Sequence, residues 1–168
     1  QGVGARTANK MGYTGKGIGI AVLDTGIYPH PDLIRPKNRI VAFKDFINQR
    51  EGPYDDNGHG TFVAGVAAGN GYSSGGRYAG VAPEANVIGV KVMTKNGEGN
   101  ASKIVAGMQW VLDHRNDYNI RIACLSLGSQ LLGSLNKDPL VVASNALWDQ
   151  GIFVVAAAGN AGPKQGTI

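Results

Sequence analysis

His59 stands between two glycines in Asp55-Asp56-Asn57-Gly58-His59-Gly60-Thr61-Phe62-Val63-Ala64-Gly65, at the mouth of an apolar run that continues as Val66-Ala67-Ala68-Gly69. The small residues predict a helix that packs closely against its neighbours, with the imidazole in its first turn. Gly58 and Gly60 carry no side chains, so another backbone or a substrate can come close to the ring. Taken alone, such a histidine reads as a polar helix start. Two further groups change that reading. Asp24 closes the apolar run Ile18-Gly19-Ile20-Ala21-Val22-Leu23, and Asn160 follows Ile152-Phe153-Val154-Val155-Ala156-Ala157 by way of Ala158-Gly159. An aspartate can fix the tautomer of a histidine, the histidine can take a proton from a nucleophile, and an asparagine amide can donate to an oxyanion. The combination suits acyl transfer.

These groups need a scaffold that brings sequence positions more than a hundred residues apart to one edge. The continuous apolar run at 18–23 suits a strand buried on both faces, and 86–92, 120–125 and 152–157 read as further strands. Between them lie helical patterns. One runs from about Ala101 to Asp113, with Ile104, Val105, Met108, Val111 and Leu112 at helical spacing and Asn100 as its cap. Another starts at Asp138-Pro139 and runs to about Gln150. Ile40-Val41-Ala42-Phe43 predicts a short strand, and Tyr28-Pro29-His30-Pro31-Asp32-Leu33, with two prolines so close, predicts irregular structure. Alternating strands and helices predict an α/β fold: a parallel central sheet with right-handed crossovers and helices on both faces. In such sheets, sites form at the carboxyl ends of the strands, where Asp24 falls.

Composition narrows the function classes. The 168 residues suit one domain with a sizeable core, and 43% hydrophobic with 17% charged content is ordinary for a globular protein. The net charge of +4 is spread along the chain without a basic block or an aromatic platform, which gives no footing for a nucleic-acid partner. No stretch reaches membrane-spanning length. Cys124 is the single cysteine, so there is no internal disulfide and no CxxC motif, and it reads as a small buried hydrophobe.

Three ordered blocks, Ala21-Val22-Leu23-Asp24-Thr25-Gly26, Asn57 to Gly65, and Ala156-Ala157-Ala158-Gly159-Asn160-Ala161-Gly162, give the chain a clear resemblance to the subtilisin-like serine proteases. The likeness extends over essentially the whole chain, including Gly80-Val81-Ala82-Pro83 and Ser126-Leu127-Gly128. It implies a serine endopeptidase in which Asp24 is the triad aspartate, His59 the general base and Asn160 the oxyanion donor. It also implies that Gly97-Glu98-Gly99 and Ser126-Leu127-Gly128 flank a peptide substrate as backbone rails, with Ala157, Ala158 and Gly159 along the S1 pocket. Rails of this kind bind a peptide as an added strand.

Two departures accompany the resemblance. Phe62 replaces the second histidine that the family commonly carries three residues after the first. The nucleophile of the family lies in a Gly-Thr-Ser-Met-Ala block beyond the asparagine, and Ser73, Ser74, Ser102, Ser126, Ser129, Ser134 and Ser144 all precede Asn160. The expectation is therefore the amino-terminal part of a catalytic domain, inactive by itself, with the serine supplied by the carboxy-terminal remainder of the same polypeptide. An uncovered sheet edge is expected where that remainder would pack. A non-catalytic protease-like binding protein is the alternative. The resemblance carries an extracellular location, with a cytoplasmic one as its alternative.

Other chemistries fit poorly. Gly97-Glu98-Gly99 lies between a strand and a helix as a dinucleotide fingerprint would, but position 102 is Ser102 and no ribose-binding acid ends the next strand. Asp55-Asp56-Asn57-Gly58 lacks EF-hand spacing, and the loop after the His59 helix holds Arg77 and glycines but no carboxylate. No cofactor or metal is expected.

Overall fold

The computed structural model describes residues 3–128, 134, 137–160 and 162. In chain order the elements are α1 (Ala5–Lys10), β1 (Gly19–Asp24), α2 (Pro31–Ile34), β2 (Ile40–Asp45), α3 (His59–Ala68), β3 (Asn86–Lys91), α4 (Ala101–Asp113), β4 (Ile120–Leu125), α5 (Pro139–Asp149) and β5 (Phe153–Ala156), with a short 3-10 turn at Tyr72–Ser74. The strands form one parallel sheet in the order β2-β3-β1-β4-β5. The apolar run of β1 makes it the central strand, buried along its whole length.

Alternation along the strands sorts the core onto two faces. Ala21 and Leu23 of β1 join Ile88 and Val90 of β3 under α4 and α5, which contribute Ile104, Met108, Val111 and Leu147. Ile20 and Val22 point to the other face with Val87, and meet Leu33 of α2 and Ala64 and Ala68 of α3. Full burial of a Leu, Ile or Val side chain contributes roughly 1.5–3 kcal/mol. The two large helices are capped as their sequences predict. Asn100 Oδ1 accepts from Ser102 N at 2.9 Å, and Asp138 Oδ1 accepts from Leu140 N at 2.9 Å.

The expectation of uniformly right-handed crossovers does not hold. The connections β3–α4–β4 and β4–α5–β5 step along the sheet in one direction with their helices on one face, while β1–α2–β2 steps the other way with its helix on the opposite face. Those three share one hand, the right-handed one by the general rule. The connection β2–α3–β3 steps in the same direction as the first two, yet α3 lies on the face of α2, so its hand is reversed. Long loops on both sides of α3 loosen the strand-to-helix coupling that normally fixes the hand. The face above β3 and β1 on the other side is already filled by α4.

Two local differences have simple causes. Pro31 occupies the first position of α2, where its missing N–H costs nothing, and His30 accepts from Asp32 N at 3.2 Å as the cap. The segment expected to be irregular therefore holds one helical turn. Helix α1 has no sequence signature because it buries no residue.

The chain leaves β1 toward β2 and leaves β4 toward β5, in opposite directions along the sheet. That reversal opens a crevice at the carboxyl ends of β1 and β4, the usual position of a site in an open α/β sheet.

Candidate active site

Asp24 is the last residue of β1 and is 1% exposed, so its carboxylate enters the crevice from the buried side. His59 opens α3 at the same edge. Its Nδ1 lies 2.7 Å from Asp24 Oδ1, and its side chain is 43% exposed. A carboxylate can only accept, so the proton of this bond sits on Nδ1 and the lone pair of the imidazole is on Nε2. Asp24 Oδ1 accepts a second bond from Thr25 N at 2.7 Å, while Asp24 Oδ2 is buried with no partner among the described residues.

The close approach of α3 to β1 depends on Gly60. A Cβ there would lie 2.1 Å from the Gly26 carbonyl oxygen and 3.0 Å from Asp24 Cβ. What comes near this glycine is the backbone of the same chain. Gly58 has a different reason to be glycine, since its φ of 103° is the left-handed conformation that side chains disfavour.

The loop before α3 is fastened by two acids. Asp55 Oδ1 accepts from Thr25 Oγ1, Asn57 N and Gly58 N, and its Oδ2 accepts from Thr61 N and Thr61 Oγ1, all within 2.6–3.1 Å. Burial by itself would raise the Asp55 pKa, but the bonds from Gly58, Thr61 and Asn57 outweigh it and hold the carboxyl below the ordinary value. Asp56 pairs with Lys91, whose fully buried Nζ also donates to the Thr25 and Met93 carbonyls. Cys124, opposite Val22 on β4, is half-buried, and burial together with the Asp24 charge raises its thiol pKa.

A cavity of about 510 Å³ opens beside the imidazole. His59, Asn57, Met93, Gly97, Ser126, Leu127, Gly128, Ala157, Gly159 and Asn160 line it. Asp24, His59 and Asn160 thus come to one edge of the sheet, and so do Gly97, the three residues after β4, and Ala157 and Gly159 after β5. Glu98, Gly99 and Ala158 stand outside this lining. The Gly97 turn is held by Thr94 N donating to the Glu98 carbonyl at 2.9 Å and by Asn57 Nδ2 donating to the Lys95 carbonyl at 2.8 Å.

The chain matches the subtilase family over residues 15–168. It belongs to that family. Among curated relatives, the serine protease AprX of Bacillus subtilis (strain 168) is 49% identical over 165 residues, which is 95% of this chain and 37% of the relative. The thermostable alkaline protease of Halalkalibacterium halodurans is 38% identical, over 98% of this chain and 41% of the relative. Among solved structures, sphericase superposes with a TM-score of 0.72 at 35% identity, over 90% of this chain and 48% of that one. A cold-adapted subtilisin-like serine proteinase gives 0.69 at 29% identity, over 89% and 49%. This subtilase chain therefore spans less than half the length of these relatives.

In this subtilase, Phe62 lies on the outward side of α3 and is 68% exposed. It lines a second groove, of about 1050 Å³, with Val3, Val66, Tyr78 and Val81. Among the described residues, no three His, Cys, Asp or Glu side chains converge as a metal site would require. Asn57, Met93, Asp55 and Lys91 also belong to this region, with no role expected from their sequence context. Asn57 and Asp55 lie inside the histidine block. Met93 and Lys91 sit at the end of β3 and look like ordinary strand residues.

Proposed function

We propose that this chain carries the acid-base half of a serine endopeptidase active site. His59 is the general base, Asp24 orients it, and Asn160 donates to the oxyanion. The nucleophilic serine belongs to a segment outside these 168 residues. The observation that carries the reading is the 2.7 Å contact of His59 Nδ1 with buried Asp24, on an imidazole that opens onto a cavity shared with Asn160.

The chemistry runs in order. His59 Nε2 takes the proton of the serine hydroxyl as its oxygen attacks the scissile carbonyl carbon. Asn160 Nδ2 donates to the oxygen that becomes negative, and Asp24 stays ionised beside the imidazolium. The imidazolium then gives its proton to the leaving amine nitrogen, and water repeats the sequence on the acyl-enzyme. The backbones of Ser126-Leu127-Gly128 and Gly97-Glu98-Gly99 hold the peptide as an added strand, with Ala157, Ala158 and Gly159 along the S1 pocket.

The remainder of the same polypeptide is the partner that completes the site. Phe153 and Val155 on β5 are 61% and 54% exposed, an uncovered apolar edge that supports a further element packing there. The test is hydrolysis of a chromogenic peptide amide. The chain alone is expected to give no turnover, and co-refolding with the carboxy-terminal remainder of its parent is expected to restore it. Turnover by the isolated chain that disappears in His59→Ala would refute the external serine. A complemented pair that binds peptide without cleaving it would favour a binding protein.

A further inference from the structure

The amino terminus of α3 is not capped by its own N-cap residue, because that residue is Gly58, which has no side chain to accept from the first turn. The free N–H groups are taken by other side chains. His59 N donates to Asn57 Oδ1 at 3.1 Å, Gly60 N to Thr25 Oγ1 at 2.9 Å, and Thr61 N to Asp55 Oδ2 at 2.9 Å. Thr25 is the residue next to Asp24, so the strand end that holds the carboxylate also caps the helix that holds the imidazole. Asp55 closes the connection by accepting from Thr25 Oγ1 at 2.9 Å and from Thr61 Oγ1 at 2.6 Å. A circuit results, running from Asp24 through Thr25 N, Thr25 Oγ1 and Gly60 N to His59 and back to Asp24 Oδ1.

From this circuit we infer that Asp55 is a positioning residue for the Asp24–His59 pair, acting through Thr25 and Thr61 without touching the reacting atoms. With five donors on it, the Asp55 carboxylate orients both threonine hydroxyls, so Thr25 Oγ1 keeps its lone pair directed at Gly60 N. Its negative charge also sits at the positive end of the α3 dipole. An amide at position 55 could not accept from all five donors, and Thr25 would be free to rotate. The first turn of α3 would then lose the contact that holds it to the end of β1. The charged or titratable groups around the circuit are Asp24 on β1, Asp55 and Asp56 on the loop before α3, Lys91 on β3, and Cys124 on β4.

The inference rests on the endopeptidase reading for its catalytic consequence, and one arm of the test does not. In the isolated chain, the Nδ1 proton that His59 donates to Asp24 is followed by NMR. Asp55→Asn is expected to move its resonance upfield and to speed its exchange with water, as the contact with Asp24 loosens. Thr25→Val should do the same, and Thr25→Ser should restore the original value. In the intact parent enzyme, Asp55→Asn should lower kcat by about tenfold to a hundredfold with KM unchanged. If Asp55→Asn fails to fold, the Thr25→Val and Thr25→Ser pair decides. A lower melting temperature with an unmoved His59 Nδ1 proton resonance would overturn the inference, whether or not the parent proves to be a peptidase.

Discussion

Lys91 Nζ lies 2.7 Å from Asp56 Oδ1, with the lysine side chain wholly shut off from solvent and the aspartate about a third exposed. The same ammonium satisfies the carbonyls of Thr25 and Met93, so it joins the ends of β1 and β3 to the loop that leads into His59. Lys91→Met leaves those carbonyls without their donor and is expected to destabilise the chain by about 3 kcal/mol. Asp56→Asn keeps an oxygen for Nζ and should cost clearly less. Urea unfolding of both variants measures the difference, and equal losses would show that charge matters here more than geometry.

Acid should loosen the β2 end of the sheet through Asp45. Burial pushes its carboxyl up, but bonds from the Tyr54 hydroxyl and from the N–H groups of Asn48, Ile47 and Arg50 push it further down, so the folded value lies below the ordinary 3.8. With a depressed folded pKa, the unfolded chain binds protons first as pH falls. The contribution of Asp45 is whole above 3.8 and is lost as pH drops through the folded value. Asp45→Asn should therefore lower stability at neutral pH and flatten the acid limb of a melting-temperature profile. An unchanged limb would exclude Asp45 as a source of acid sensitivity.

Two glycines of α3 should respond in opposite ways to alanine. At Gly60 a Cβ meets the Gly26 carbonyl oxygen at 2.1 Å, and relief requires α3 to move off β1. Gly60→Ala should cost about 1–3 kcal/mol and weaken the His59–Asp24 contact. At Gly65 a Cβ meets nothing within 4 Å, so Gly65→Ala should stabilise the isolated chain by up to about 1 kcal/mol. Thermal unfolding gives both signs, and a Gly60→Ala variant as stable as the parent chain would mean that the first turn of α3 can shift freely.

In the complemented enzyme, Asn160→Ala should lower kcat far more than it raises KM, because the amide meets the substrate oxygen only once that oxygen carries charge. The expected loss is on the order of a hundredfold to a thousandfold, the size found for an oxyanion donor in subtilisin, a member of the same family. Steady-state kinetics separate the two parameters. A variant raising only KM would make Asn160 a ground-state contact.

The strands and large helices of this chain can be read from its residues in order, since they depend on local pattern. Burial on both faces demands unbroken apolar runs such as Ile20 to Leu23, and the caps Asn100 and Asp138 each act on residues two or three positions away. Asp24, His59 and Asn160 each stand in an ordered block at the end of an element, and the folded chain brings them to one edge of the sheet. Which face α3 takes, and so the reversed hand of β2–α3–β3, is settled only once the chain is packed. That choice depends on how glycine and alanine on one helix fit against strands far away in the chain. Packing also decides that Asp55 serves Thr25 and Thr61 while Asp56 serves Lys91. Two adjacent acids look alike in a sequence, and their partners, 35 residues away in the case of Lys91, come within reach only when the sheet closes.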